Sequence, residues 1–109
     1  MQIESHECGK YQVLKVQDKE HGIKDLSGLE DEIRYFLDNG KKFIAISFSA
    51  ATYIYSGAIQ VLVNSHKLIS QNGGELSVVE PNPSLFGILE DLNIGRVINI
   101  YVSEKYLPQ

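Results

Sequence analysis

The chain has 109 residues, 43% of them hydrophobic, enough for one domain burying roughly two-thirds of the surface its unfolded form exposes. Its net charge of −4 comes without a clustered Lys and Arg stripe, which argues against a nucleic-acid partner, because phosphate binding needs such a stripe. The longest apolar runs fall well short of the roughly 20 residues that span a bilayer, Glu4, His6 and Glu7 replace a basic-then-apolar leader, and the single cysteine, Cys8, rules out an internal disulfide. The expectation is one soluble, cytoplasmic domain over 1–109 with no cofactor.

Residues 2–8 and 11–17 read as two short strands around a turn at Gly9-Lys10. In the second, Tyr11 and Val13 share a face with Lys15, and Gln12, Leu14 and Val16 share the other. His6 and Cys8 fall on one face of the first strand. Zinc wants three or four ligands and there is no second cysteine, so the pair is expected to pack rather than to hold metal or attack a substrate. After a polar loop at 18–22, Ser27-Gly28-Leu29-Glu30 matches the S-x-x-E capping box of a helix start. Leu26, Leu29, Ile33, Phe36 and Leu37 follow at spacings of three and four, so one helix face packs inward. Glu30, Asp31, Glu32 and Arg34 face water, and the early acidic cluster complements the helix dipole rather than forming a catalytic carboxylate pair. Asn39-Gly40 ends the helix.

Phe43-Ile44-Ala45-Ile46-Ser47-Phe48 is a continuous apolar run with the composition of a buried strand. Ser56 is placed to cap a long helix from 58 to about 71, which Asn72-Gly73-Gly74 stops. A strand feeding a helix through a short loop gathers free N–H donors and the positive helix end in one place. Ser56-Gly57 is therefore the leading functional candidate. Residues 76–79 read as another strand, broken by Pro81-Asn82-Pro83. Asn82 or Ser84 caps a third helix over 85–92, with Leu85, Ile88, Leu89 and Leu92 as its apolar stripe and Asn93 as its left-handed stop. Residues 97–102 read as the last strand, and 103–106 start a helical turn that Pro108 cuts short. The order predicts an α/β fold: a mixed sheet of four to five strands with helices packed against it, its later strands parallel. In such sheets sites lie at the carboxyl ends of the strands, where Ser56 falls.

This arrangement resembles the STAS domain, the family of bacterial anti-sigma factor antagonists, stressosome scaffold proteins and the cytoplasmic tails of sulphate transporters. The landmarks are the Phe43-to-Phe48 run, the Tyr53-to-Ala58 loop, the helix leading to Asn72-Gly73-Gly74-Glu75-Leu76, and Ile88-Leu89-Glu90 through Ile94 to Val97-Ile98-Asn99-Ile100. In the family the loop before that helix reads Asp-Ser-Ser-Gly or Asp-Ser-Thr-Gly, and a partner kinase phosphorylates the second hydroxyl residue. Counting back from Gly73-Gly74 without a gap sets Tyr55, Ser56, Gly57 and Ala58 against those positions, so the acceptor position is Gly57 and the acidic one Tyr55. A one-residue slip makes Ser56 the phosphoacceptor instead, but an insertion in a packed helix rotates its apolar face by about 100°. His21 stands where the family often has an acidic residue after the second strand.

What the resemblance implies is a non-enzymatic protein-interaction regulator that switches partners through loop 53–58 and the helix after it, without the usual serine phosphoswitch. Tyr53, Tyr55, Ser56, Gly57 and Ala58 are the expected contact residues, with the two tyrosines as aromatic anchors. The partner would be an anti-sigma factor kinase or another STAS domain; the oligomeric state stays open between monomer and homodimer. Two alternatives come from the same place: an accessory subunit of a lipid or anion transporter, and a small-molecule or nucleotide binder at the helix N-terminus, which no P-loop pattern supports. Catalysis by Ser56 lacks a base, since His66 lies about 15 Å along the same helix and no G-x-S-x-G elbow is present.

Overall fold

The computed structural model describes residues 2–18, 27–51, 59–79 and 83–108. The elements are β1 (Gln2–Cys8), β2 (Tyr11–Asp18), α1 (Ser27–Asp38), β3 (Phe43–Ala51), α2 (Ile59–Gln71), β4 (Glu75–Val79), α3 (Pro83–Asp91) and β5 (Asn99–Tyr101), with 3-10 turns at Ile94–Arg96 and Glu104–Tyr106. The five strands lie in the order β1-β2-β3-β4-β5. β1 runs antiparallel to β2, and all later pairings are parallel. This is the mixed, helix-covered sheet the sequence predicts.

Strand parity divides the core in two. Leu14 and Val16 of β2, Ile44, Ile46 and Phe48 of β3, and Leu76 and Val78 of β4 point to one face, where Leu29 and Ile33 of α1, Leu62 and Ile69 of α2 and Leu89 of α3 cover them. The opposite face carries Tyr11, Val13, Ala45 and Val79, and Leu107 from the chain's last residues packs on it. The alternation in β2 is thus sound, but both sets are inside, which explains its weak hydrophobic contrast. Gln12, Ser47 and Ser77 are buried within these strands.

Two helix ends follow one pattern. Gly73 has φ +79 and donates to the Ser70 carbonyl, while Gly74 donates to Ile69, which closes α2 in the Schellman geometry that needs a left-handed residue. Gly40, at φ +83, does the same for α1 through its bond to Leu37 and that of Lys41 to Phe36. Gly74 is required for a separate reason: a Cβ there would collide with the Lys42 carbonyl oxygen, and the next residue, Glu75, donates to that same oxygen at 3.1 Å. The close approach sets β4 beside β3 from their first residues, Phe43 opposite Glu75.

Three expectations change. The last strand is Asn99–Tyr101 and not 97–102, because the Val97 and Ile98 amides both bond back to Ile94 and hold those residues in a turn. The third helix is Pro83–Asp91, beginning on a proline whose missing N–H costs nothing in the first turn. Leu92 does not belong to its buried stripe: it falls past the helix end, before Asn93 at φ 56, and is 54% exposed. Leu26, the loop residues 19–22 and Asn82 lie outside the described residues.

His6 and Cys8 share a face of β1 and meet Glu104 of the last 3-10 turn. His6 Nε2 contacts Glu104 Oε1, an ion pair when the imidazole is protonated, and the Cys8 thiol points to the Glu104 carbonyl at 3.8 Å. These contacts tie the tail across the second face, from β5 at one edge to β1 at the other. Cys8 is half-buried against that core, as its packing role predicts.

Gly73→Ala is expected to cost about 1 kcal/mol through its left-handed backbone, and Gly74→Ala about 1–3 kcal/mol through the clash with Lys42; chemical denaturation of both variants checks the order. Leu107→Ala should lower stability by about 2 kcal/mol by uncovering the second face, read in the same assay. Burial raises the Tyr11 phenol above its usual 10.0, and the Glu75 carboxylate, which accepts its hydrogen at 3.1 Å, adds to the rise. The folded chain therefore keeps this proton after the unfolded chain has lost it. Stability is full below about pH 10 and falls as pH rises through the raised value. Tyr11→Phe should shrink that alkaline loss, measured by denaturation on either side of about pH 10.

Candidate functional site

The carboxyl ends of the parallel strands, Asp18, Ala51, Val79 and Tyr101, gather along one rim of the sheet. β3 does not stop level with its neighbours. Its pairing with β4 ends at Ser47 opposite Val79, yet the strand continues to Ala51, still paired with β2 through Asp18. Between Lys15 and Gln17 of β2, β3 advances from Ser47 to Ala50, one residue more than its partner. Such a bulge bends and twists a strand, and bulges recur beside functional sites. Among the described residues β3 thus continues four residues past the one opposite Val79.

α2 begins at Ile59, and its first described turn has no acidic side chain to offset the free N–H groups. Leu62, Ser65 and Ile69 face the core and α1, while Gln60, Asn64, Lys67 and Gln71 form an exposed polar stripe at helical spacing. Gln60 Nε2 donates to Asn64 Oδ1 at 3.0 Å, which orders the first two turns of that stripe. Beside it, Glu30 and Arg34 of α1 and Asn64, Ser65 and Leu68 of α2 enclose a cavity of about 70 Å3. The surface around the start of α2 is therefore polar, ordered and without a deep pocket among the described residues.

The predicted contact residues, Tyr53, Tyr55, Ser56, Gly57 and Ala58, lie outside the described residues, as does His21; the flanking Ala51 and Ile59 are described. His66 sits seven residues into α2, about 10 Å along its axis from Ile59. Its Nδ1 is buried with no hydrogen-bond partner among the described residues. His6, the other described histidine, faces Glu104 on the second face of the sheet.

One feature escapes sequence reasoning. A groove of about 610 Å3 runs between α3 and β5, lined by Phe86, Arg96 and Tyr101 among others, two strands away from β3. Its apolar lining reads from sequence as ordinary core. Only the 39% exposure of Phe86 and the shortness of β5 show otherwise.

A sequence model of the STAS domain matches residues 18–106. A Thermotoga maritima protein provisionally named an anti-sigma factor antagonist is 35% identical over 66 residues, 61% of this chain and 58% of the relative. The anti-sigma F factor antagonist of Paenibacillus polymyxa is 30% identical over 61 residues, 56% of this chain and 52% of its own length. The chain thus spans about half to three-fifths of the length of the curated relatives it matches. The solution structure of the protein TM1081 superposes with a TM-score of 0.76 at 23% identity, covering 96% of this chain and 84% of that one. The phosphorylated form of the Bacillus cell fate determinant SpoIIAA superposes at 0.69 with 13% identity, covering 95% of each chain. At these identities the structures share the fold. No helix among the described residues is long and apolar enough to cross a membrane. Matched from the last residue of β2 to the closing 3-10 turn, the chain belongs to the STAS domain family.

Proposed function

We propose that this chain is a non-enzymatic regulator of the anti-sigma factor antagonist kind, which docks a partner protein through residues 53–58 and the exposed stripe of α2. The observation that carries this reading is the match to the STAS family over residues 18–106, with the exposed polar stripe of α2 following the candidate loop. That segment leads in sequence into the first described turn of α2, which has no acidic side chain and carries the ordered Gln60–Asn64 pair. Tyr53 and Tyr55 supply aromatic anchors of the type that carries binding energy in small interfaces.

The reading includes the loss of the usual phosphoswitch. Phosphorylation adds nearly two negative charges, which a helix N-terminus accommodates and an acidic or apolar partner does not. With Tyr55 and Gly57 at the acidic and acceptor positions, the ungapped alignment leaves no hydroxyl at the acceptor position. The partner, a kinase-type anti-sigma factor or another STAS domain, is then bound without covalent control.

Incubation with a kinase-type anti-sigma factor from the same cell, followed by intact mass spectrometry, tests this. The natural chain is expected to gain no phosphate, and the Tyr55→Asp, Gly57→Ser double variant to gain one. A phosphate on Ser56 of the natural chain overturns the loss of the switch. Tyr53→Ala should weaken binding to the same partner by about tenfold or more in calorimetry; unchanged affinity overturns the docking surface.

A further inference from the structure

α1 and α2 do not close fully against each other. Glu30 and Arg34 of α1 and Asn64, Ser65 and Leu68 of α2 line a cavity of about 70 Å3 between the two helices. Ser65 is 1% exposed, and its hydroxyl has no hydrogen-bond partner among the described residues. A buried hydroxyl left unpaired costs free energy that a well-placed ligand atom recovers. Glu30 and Arg34 stand one helical turn apart on α1, the spacing at which opposite charges commonly meet. They nevertheless form no ion pair with each other or with any other described residue. Asn64 gives its Oδ1 to Gln60, so its own amide N–H groups remain available to donate.

Size limits what enters. An engineered protein cavity of about 150 Å3 takes benzene, so about 70 Å3 encloses roughly three heavy atoms. Charge limits it further. A carboxylate gains from Arg34 and loses to Glu30, and an ammonium the reverse, so neither ion is favoured. A neutral planar group with one acceptor and one NH2 donor suits both walls. Its oxygen accepts from Arg34, its N–H donates to Glu30, and the Ser65 hydroxyl pairs with either. Carbon, oxygen and nitrogen joined in that way are a primary amide. Three enclosed atoms alone bind no tighter than about millimolar, so the amide is the tip of something larger that lies outside. The exposed lining residues are Arg34 and Asn64, and the cavity therefore opens beside the polar stripe of α2 to which Asn64 belongs.

We infer that this cavity is a socket for the primary amide of an Asn or Gln side chain, presented by the partner protein that docks on α2. Leu68 supplies the apolar wall for the methylene that carries the amide. The partner comes from the function proposed above; the choice of an amide rests on the five lining side chains alone. The socket adds selectivity more than strength, because a partner with an acidic or a basic side chain at that point meets a like charge.

Titration of the isotope-labelled full chain with propionamide, propionate and propylammonium, followed by NMR, tests the socket. Propionamide is expected to shift the backbone amides of Glu30, Arg34, Asn64, Ser65 and Leu68 at millimolar concentrations, and the two ions to bind more weakly by about fivefold or more. Ser65→Ala should weaken propionamide by about fivefold while leaving the denaturation midpoint unchanged or higher, since the lost hydroxyl had no partner. Equal binding of the three compounds, no shifts at these residues (a cavity for water only), or a lowered midpoint with propionamide binding intact overturns the inference. Against a kinase-type anti-sigma factor from the same cell, Ser65→Ala should weaken binding by about fivefold in calorimetry. A partner that binds and is indifferent to Ser65→Ala overturns the socket and leaves the docking reading standing. A chain that takes propionamide but binds no such partner overturns the docking reading, and with it the assignment to a partner side chain.

Discussion

A parallel sheet cannot leave a face in water, because its central strands are apolar on both sides. In this protein every residue of β3 from Ile44 to Phe48 is buried. The three helices satisfy the requirement on one face only, because each short crossover returns its helix to the same side. The other face is met by a few residues at the end of the chain. Leu107 lies over Tyr11, Val13, Ala45 and Val79, and Glu104 reaches His6 and Cys8 on the far edge strand. The fold is thus closed by contacts between segments nearly the whole chain apart in sequence.

That closure leaves β1 and β5 as the two edges of the sheet. At the rim, the bulge in the β2–β3 pairing carries the described residues of β3 on to Ala51, opposite Asp18 of β2. At the start of β3, Gly74 lets the β4 backbone press against Lys42, so the strands begin level.

The two edges differ. β1 has seven residues and exposes charge; β5 has three and exposes apolar groups around it. A short edge strand limits unwanted pairing.

Much of this was legible in the amino-acid order. Apolar runs and three-four spacing located every helix and strand, since burial imposes those periods locally. Gly40, Gly73 and Asn93 announced the helix stops, because left-handed backbone selects such residues wherever it occurs. The loop 53–58 was expected as a site from its place between a buried strand and a helix, and it lies outside the described residues. What sequence could not show depends on neighbours distant along the chain. It could not tell that Gly74 abuts Lys42, that Val97 and Ile98 turn out of the last strand, or that Leu107 shields the second face. It could not separate Leu89, buried, from Leu92, exposed, because a single turn past a helix end reverses which way a leucine points. Local pattern determines what each segment prefers to be; only the packed sheet decides which of those apolar side chains find cover and which stay exposed.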